Sequence, residues 1–436
     1  MDRGGRRVHS RGLPPRIPFP ARIGGGSVAG MKARFLLGPA GSGKTHACVA
    51  GVREALVRGG PGRLLFLAPK QATFQVERHV LADGSVGGFS RLSILSFERL
   101  AQRVLEEAGL ARDLLGEEGR TMVLRALLER EAGQLRHFGR VARSAGLARE
   151  LSALLRRLHE HGLDPGRMEA LSGKGSLPEV LRAKLWDAAV LSRGLRSWLD
   201  GAGLDDPSGR AWRAVDALAG DPLNGPRWER VWMDGFAEMT PAEVSLLASV
   251  ARRSEEVTIA FCMDREAASG GRPLWRVVEE TFHACHEALA ASGDAEIEVM
   301  ESKAAPGRGR FVHGGMLEVL ERRAGAGTSS PLPDAGPDRA RVVRCRNPHE
   351  EAEVAARCVI DAVASGARFR DVAVLLRSLD EHGPLMERTF RRVGIPCFVD
   401  RRHPLRHHPM VELTRTALRV ASDPGSEEDW FAWLKC

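Results

Sequence analysis

Residues 34–45 read Arg-Phe-Leu-Leu-Gly-Pro-Ala-Gly-Ser-Gly-Lys-Thr, an apolar run that leads into a glycine-rich loop. The loop matches G-x-x-x-x-G-K-[ST], a pattern typical of phosphate-binding loops when a strand precedes it and a helix follows. Glycines let successive backbone N–H groups turn toward phosphate oxygens, and the helix N-terminus adds partial positive charge. The sequence therefore predicts a nucleotide-binding loop made of Gly38, Pro39, Ala40, Gly41, Ser42, Gly43, Lys44 and Thr45.

This motif predicts a role for its last two side chains and requires an acidic partner. Lys44 is expected to bridge the β- and γ-phosphates of ATP, and the Thr45 hydroxyl to ligate Mg²⁺. Asp234 follows the apolar run at 230–233 and could hold Mg²⁺ through water. The next residue is Gly235 where a hydrolytic Glu is expected. Glu238 is the one candidate catalytic carboxylate, and the alternative is that it is merely solvated.

Short apolar runs alternate with helical segments along the chain from residue 31 onward. We predict strands at 34–37, 64–68 and 92–95, and further strands at 230–233, 257–262 and 372–376. Such near-continuous apolar strands, separated by helices, are typical of a parallel sheet covered on both faces. Leucines from Leu147 to Leu158 repeat at helical spacing, and Gly162 and Pro165 end that run. The sequence thus predicts an α/β fold with an all-helical insertion at about 104–218.

Composition excludes several classes of protein. The 436 residues are 43% hydrophobic and 28% charged, which is ordinary globular material. No stretch approaches the roughly 18 apolar residues of a membrane span, and the N-terminus lacks the apolar core of a secretory signal. The seven cysteines are scattered and never spaced C-x-x-C, which favours a reducing cytoplasm and argues against a zinc or disulfide framework.

The net charge of +8 is a weak argument for nucleic-acid binding, because much of it lies in one segment. Residues 1–30 contain six arginines and one aspartate, so the rest of the chain carries only +3. This Gly-, Pro- and Arg-rich segment is expected to be disordered. The preferred interpretation is a translation start assigned too far upstream, since a predicted strand follows Met31 directly. A basic DNA-binding arm and an organellar transit peptide are the alternatives.

Several strings of sequence carry a family resemblance. After the glycine-rich loop these are Leu-Ala-Pro-Lys-Gln-Ala-Thr-Phe-Gln-Val-Glu-Arg at 67–78, Gly-Phe-Ser-Arg at 88–91, Leu-Ser-Phe-Glu-Arg-Leu at 95–100 and Val-Trp-Met-Asp-Gly-Phe at 231–236. The likeness continues through 374–377, 394–400 and Pro404-Leu405. Together they resemble the AddB/RexB family, whose members belong to the bacterial ATP-dependent helicase–nuclease that resects double-strand DNA breaks for recombination.

The resemblance implies a superfamily 1, UvrD-like helicase core built on RecA-like P-loop domains. Residues 31–103 and 219–340 would form domain 1A, 104–218 a helical 1B-like insertion, and 341–436 the beginning of a second RecA-like domain, 2A. Arg377 would contact the γ-phosphate. DNA contacts are expected from Gln71, Thr73, Phe74 and Phe97. For the two phenylalanines the alternative is burial in the core.

The resemblance also implies partners and a cofactor set. ATP and Mg²⁺ would bind this chain, an AddA-type motor and nuclease subunit would complete a cytoplasmic heterodimer, and the substrates would be single-stranded DNA and double-stranded DNA ends. A 4Fe–4S cluster would belong to a C-terminal nuclease domain, whose cysteine run and acidic metal site we do not find in the sequence. The sequence is therefore expected to be an N-terminal part of such a protein.

Departures from the helicase pattern predict weak ATP turnover. An active superfamily 1 helicase reads Asp-Glu-x-Gln where this chain reads Asp-Gly-Phe-Ala at 234–237. Residues 261–265 depart from the expected Gly-Asp-x-x-Gln, and no adenine-reading Gln motif precedes the loop. Three alternatives stay open: an active helicase that uses Glu238, a small-molecule P-loop kinase, and a scaffold with a vestigial site.

Overall fold

The computed structural model describes residues 30–144, 146–220, 225–263, 273–291, 295–301, 319–320, 341–400, 405 and 408–436. The chain divides into two compact units, one ending at Asp338 and the other beginning at Arg339. Residues 1–29 of the segment expected to be disordered, and most of residues 302–340, lie outside the described residues. No described helix combines the length and apolar character needed to cross a membrane.

The first unit is built on a six-stranded sheet in the order β3-β2-β6-β7-β1-β8, and all neighbouring strands run parallel. A separate pair of two-residue strands, β4 and β5, is also parallel. The strands are β1 (Met31–Gly38), β2 (Leu64–Leu67), β3 (Leu92–Leu95), β4 (Asp113–Leu114), β5 (Leu204–Asp205), β6 (Trp228–Met233), β7 (Ser254–Cys262) and β8 (Ala295–Glu301).

Helices alternate with these strands. In the first unit they are α1 (Lys44–Arg58), α2 (Thr73–Leu81), α3 (Phe97–Glu107), α4 (Glu117–Arg130), α5 (Leu147–Glu160), α6 (Pro165–Ser172), α7 (Glu179–Ala202), α8 (Pro207–Ala219), α9 (Pro241–Ala251) and α10 (Pro273–Ala290). In the second unit they are α11 (Pro348–Ala364), α12 (Leu379–Arg392), α13 (Pro409–Ser422) and α14 (Glu427–Leu434).

The sheet is buried on both faces, which explains its apolar strands. Successive residues of β1 alternate between two cores: Phe35 and Leu37 face one, and Leu36 faces the other. Helices α3, α8, α9 and α10 contribute to the first core, and α1 and α2 to the second. The predicted strands at 34–37, 64–68, 92–95, 230–233 and 257–262 are confirmed with small differences at their ends.

Strand β8 at the edge of the sheet was not predicted. Its sequence, Ala-Glu-Ile-Glu-Val-Met-Glu, alternates apolar and acidic residues, because one face packs on the core while the other is exposed. Ile297 and Val299 pack against the sheet core, whereas Glu296 and Glu298 are exposed. A half-exposed edge strand lacks the continuous apolar run that identifies the central strands.

The helical insertion has a core of its own, formed by α4 to α7 with leucines at its centre. The insertion is shorter than the predicted 104–218. Val104 and Leu105 of α3, and Ala214 and Leu218 of α8, pack into the sheet core instead. The chain therefore leaves the sheet along α3 and returns along α8, which pack against each other. The predicted helix at Leu147–Leu158 is confirmed as α5.

The second unit contains four α-helices and, among its described residues, no strand. The strand predicted at 372–376 is therefore wrong. Its apolar pattern is real, but a strand requires a hydrogen-bonded neighbour, and no described segment of this unit pairs with it. Val374 and Leu375 are exposed instead. The small core of the unit consists of α11, α12 and the following Ile395.

The carboxyl ends of β2, β3 and β6 are tied together by backbone hydrogen bonds. Ala68 N–H donates to Leu95 O at 3.1 Å, and Asp234 N–H donates to Leu67 O at 3.1 Å. Directly after Asp234 the chain turns at Gly235, whose φ of 91° lies in the left-handed region. A Cβ at this position would lie 3.1 Å from Cδ of Pro69.

Gly235→Ala is expected to lower the free energy of unfolding by about 1–3 kcal/mol, because a side chain is strained at this φ and meets the Pro69 ring. Urea denaturation followed by tryptophan fluorescence measures the effect. Gly88→Ala is the matched control, since its added Cβ would meet no atom within 4 Å. Equal stability of the two variants would contradict the strained geometry at position 235.

Candidate functional site

The glycine-rich loop joins β1 to α1 at the carboxyl edge of the sheet. Gly41 and Gly43 have φ values of 82° and 90°, which other residues rarely adopt. Gly43 is the N-cap of α1, so no side chain caps the helix, and the first turn contains no acidic residue. The positive end of the helix dipole is thus not compensated by an acidic side chain of its own first turn.

Lys44 is buried, and its ammonium group lies inside the loop. Its Nζ donates to the carbonyl oxygens of Gly38 and Pro39, both at 2.8 Å, and to Oγ of Ser42 at 3.2 Å. These contacts hold a full positive charge among the backbone groups that the motif predicts to surround a phosphate. The role of Lys44 toward ATP stays a prediction.

Thr45 and Asp234 meet across the edge of the sheet, although 189 positions separate them in the sequence. The Thr45 hydroxyl donates to Oδ2 of Asp234 at 2.5 Å. Thr45 is exposed on the first turn of α1, and Asp234 follows the last residue of β6. A hydroxyl and a carboxylate side by side form the oxygen donor set that Mg²⁺ prefers. The structure therefore brings together the two residues predicted to hold the metal.

Cys48 lies under the loop on the inner face of α1 and is completely buried. Burial and the nearby Asp234 carboxylate raise the pKa of its thiol to about 12, although the Lys44 ammonium opposes this shift. The thiol is therefore neutral near pH 7. Cys48 is a core residue, and a neutral thiol is a poor nucleophile.

The position after Asp234 cannot readily present a catalytic carboxylate. Gly235 has a left-handed backbone and packs against Pro69, a contact that sequence reasoning missed because Pro69 belongs to a distant loop. Glu238 lies exposed in the loop between β6 and α9, where it makes no hydrogen bond or ion pair with any described residue. The structure thus does not tie Glu238 to the Thr45–Asp234 pair.

The segment after β2, predicted to contact DNA, lies at the same edge of the sheet. Gln71 is exposed, and the Thr73 hydroxyl donates to Lys70 O at 3.1 Å. Phe74 on the first turn of α2 is 65% exposed, which is unusual for such a large apolar ring. Lys70 lies 3.7 Å from Glu98 of α3.

Phe97 is not available to stack on a base, and this prediction is wrong. The side chain is 3% exposed, and its ring centroid lies 5.1 Å from that of Phe236. The sequence contains the signal for this burial: Phe97 begins a stripe of apolar residues at helical spacing that forms the buried face of α3, namely Phe97, Leu100, Ala101, Val104 and Leu105. Packing of that stripe on the sheet buries the ring.

Arg377, predicted to contact the γ-phosphate, lies in the second unit. It is exposed and follows the segment at 372–376 that does not form a strand. The glycine-rich loop belongs to the first unit. The role of Arg377 stays a prediction.

Comparison with known proteins identifies the family. Residues 35–321 match the family model described as "ADDB, N-terminal". The chain is 35% identical over 420 residues to the B subunit of the ATP-dependent helicase/deoxyribonuclease of Moorella thermoacetica, an alignment that covers 93% of this chain and 36% of the relative. The protein of the same name from Symbiobacterium thermophilum is 34% identical, over 92% of this chain and 35% of the relative.

A more distant relative is likewise covered over only about a third of its length. The protein of this name from Geobacillus kaustophilus is 31% identical over 89% of this chain and 34% of its own length. The chain thus spans about a third of the relatives it matches. The region matched by the family model begins within β1 and includes the glycine-rich loop, the helical insertion and β6. The resemblance inferred from short stretches of sequence therefore extends over the first unit. The chain belongs to the AddB family.

Proposed function

We propose that this chain is the helicase-like N-terminal part of one subunit of an ATP-dependent helicase and deoxyribonuclease, with a RecA-like P-loop site that binds ATP and Mg²⁺. The observation that carries the proposal is the hydrogen bond between Thr45 and Asp234. It joins the last residue of the glycine-rich motif to an acidic residue at the end of another strand of the same sheet. A glycine-rich turn that binds nothing would need no such partner.

In the proposed site each residue has a distinct task. Backbone N–H groups of residues 38–45 and the N-terminus of α1 would surround the phosphates, and Lys44 would neutralise their charge. Thr45 and Asp234 would hold Mg²⁺, which when bound stabilises negative charge on phosphate oxygens. Arg377 would contact the γ-phosphate.

We further propose that this site binds ATP better than it hydrolyses it. Hydrolysis needs a carboxylate or amide that orients the attacking water. The residue after Asp234 is a glycine in a left-handed conformation, and Glu238 contacts no described residue through a hydrogen bond or ion pair. The alternative, an active superfamily 1 helicase, requires the loop at 235–240 to rearrange so that Glu238 reaches the nucleotide.

Single-stranded DNA is the proposed ligand of the segment 69–74. Gln71 and Thr73 would contact the sugar–phosphate backbone, and the exposed Phe74 ring would stack on a base. Because this segment and Asp234 lie at the same edge of the sheet, one ligand could influence the other. The hydrogen bond from Asp234 N–H to Leu67 O links the two segments.

The partner and the cellular role are proposed from the names of the relatives. Those proteins are named as one subunit of a helicase/deoxyribonuclease, which supports a heterodimer with an AddA-type motor and nuclease subunit. We propose that the complex acts in the cytoplasm on double-strand DNA ends during homologous recombination. The nuclease named in the relatives, with its expected 4Fe–4S cluster, is not assigned to residues of this chain.

Lys44→Ala is expected to weaken binding of ATP–Mg²⁺ at least about 100-fold, because it removes the charge held at the loop and two backbone contacts. Isothermal titration calorimetry with a non-hydrolysable ATP analogue measures the change. Lys32→Ala, an exposed lysine on the same strand that leads into the loop, should leave the affinity unchanged. Unchanged affinity in Lys44→Ala would refute the site and favour a scaffold with a vestigial loop.

The chain alone is expected to show negligible DNA-stimulated ATP hydrolysis, and Glu238→Gln should not alter that rate. Release of inorganic phosphate, with and without single-stranded DNA, measures the hydrolysis rate of the unchanged chain and of Glu238→Gln. Robust turnover that disappears in Glu238→Gln would establish the alternative of an active motor. Consumption of ATP in which the phosphoryl group is transferred to a small acceptor rather than released, without any response to DNA, would favour the kinase alternative.

Phe74→Ala is expected to weaken binding of single-stranded DNA by about 1–3 kcal/mol, the usual loss of one base-stacking contact. Fluorescence anisotropy with a labelled oligothymidylate measures the affinity. Phe97→Leu is the matched control, because this ring is buried and its replacement should leave DNA affinity unchanged. Equal affinities for Phe74→Ala and the unchanged protein would rule out stacking by Phe74.

A further inference from the structure

We propose that the helical insertion binds the phosphate backbone of duplex DNA through four arginines on the segment that runs from the end of α4 into α5. The arginine surface consists of Arg136, Arg140, Arg143 and Arg149. It is separate from the carboxyl edge of the sheet and from the single-strand contacts proposed there. The choice of DNA as the polyanion rests on the proposed function, whereas the choice of duplex and of phosphate follows from the surface itself.

The segment is unusual in charge. Residues 132–149 contain these four arginines and no aspartate or glutamate, although the chain beyond residue 30 is close to neutral. All four side chains are exposed. Many exposed arginines elsewhere in the unit are neutralised, as Arg63 is by Glu107 at 2.7 Å and Arg112 by Asp200 at 2.9 Å. A local excess of positive charge is the electrostatic feature that recognises a phosphate backbone.

Three of the arginines are not engaged with the protein. Within the parts of the chain that the structure describes, the side chains of Arg140, Arg143 and Arg149 form no ion pair or hydrogen bond. Their guanidinium groups are therefore available to an external ligand. An arginine that binds phosphate bidentately need not first break an internal ion pair at these positions.

The segment is anchored, so its arginines are directed outward. Three apolar residues that alternate with the exposed arginines along the sequence are buried in the core of the insertion: Leu135, Ala142 and Ala148. Successive turns are closed by backbone hydrogen bonds, including Val141 N–H to Phe138 O at 3.0 Å and Ser144 N–H to Val141 O at 2.9 Å. A fixed backbone lowers the conformational entropy lost when the surface binds a ligand.

Asp187 holds the beginning of this segment. Its carboxylate is completely buried and accepts three backbone N–H groups: from Arg136 at 2.7 Å, His137 at 2.9 Å and Phe138 at 2.8 Å. Burial of a charge is costly unless hydrogen bonds satisfy it, and these three do so. Because Asp187 lies on α7, the segment is tied to the longest helix of the insertion rather than left as a loose loop.

The aromatic ring at this surface is covered by a cation. The Arg136 guanidinium carbon lies 3.8 Å from the centroid of the Trp186 ring, and Trp186 Nε1 donates to Gln134 O at 3.2 Å. The guanidinium covers one face of the Trp186 ring, and that face is closed to an unstacked base of a single strand. Free positive charge beside a covered aromatic face favours the backbone of a duplex, where the bases are already stacked.

The test replaces the four arginines together: Arg136→Gln, Arg140→Gln, Arg143→Gln and Arg149→Gln in the full chain. The probe is a fluorescently labelled duplex closed by a hairpin at each end, so that it has no single-stranded terminus. At moderate salt the duplex affinity is expected to fall at least about tenfold. The slope of log K against log salt should decrease by about 2–4, since each phosphate contact contributes about 0.9. Replacement with lysine at all four positions should restore most of the salt dependence.

Two controls separate this surface from total charge and from the proposed function. A variant with Arg341→Gln, Arg344→Gln, Arg357→Gln and Arg370→Gln makes the same change in net charge at exposed positions of the second unit, and it should retain duplex affinity. The variant with all four arginines of the arginine surface replaced by glutamine should bind ATP and single-stranded DNA normally. Lys44→Ala, in turn, should bind the duplex normally. Loss of ATP binding in Lys44→Ala thus tests the nucleotide site without touching this surface.

Three outcomes would overturn the proposal. The first is an unchanged duplex affinity and salt slope when the arginine surface is replaced by glutamines, and the second is an equal loss of duplex affinity in the control variant. The third is normal duplex binding by the arginine-surface variant combined with loss of its association with a motor subunit. The last result would identify the arginine surface as a protein interface. All four side chains are exposed, but Arg136 also packs on Trp186, so an unaltered thermal unfolding midpoint is the check that the replacements leave the fold intact.

Discussion

Parallel pairing of all six strands is the constraint on which the site depends. It requires every strand of the sheet to end at the same edge, so the loops that follow β1, β2, β3 and β6 meet there although the sequence separates them widely. The contact between Thr45 and Asp234, and the backbone bonds from Asp234 to Leu67 and from Ala68 to Leu95, are consequences of that direction. The helical insertion between β3 and β6 can be large without disturbing the edge, because α3 and α8 both pack on the sheet where the chain leaves and returns.

The central part of the fold could be predicted because its physical signals are local. Each central strand is a short apolar run, and the glycine-rich motif needs only its own residues to be identified. Signals that depend on distant residues were missed. The backbone at Gly235 is explained by Pro69, and the apolar run at 372–376 lacks a neighbouring strand among the described residues. Burial of Phe97 was an exception, since the helical stripe that buries it is visible in the sequence.

Nucleotide binding and nucleotide hydrolysis make different demands on the backbone. Binding of a nucleotide at the proposed site would use the N–H groups and lysine of the glycine-rich loop and the oxygen pair of Thr45 and Asp234. Hydrolysis requires an additional polar side chain directed at the attacking water, at a position where this chain has a left-handed glycine packed against proline. A carboxylate-bearing residue at position 235 would therefore require a different backbone conformation, because the left-handed φ strains any residue with a side chain. A bound nucleotide at such a site would act as a structural ligand that stabilises the folded unit.

The acidic character of β8 has a consequence for how this unit could assemble with other chains. An outer strand presents N–H and C=O groups that another strand can extend. Along β8 the exposed side chains include Glu296, Glu298 and Glu301, and Glu298 is joined to Arg34 of β1 at 3.1 Å. An incoming strand would have to place its backbone beside this row of carboxylates and lose part of their hydration. Continuation of the sheet into a second molecule is thus disfavoured at β8.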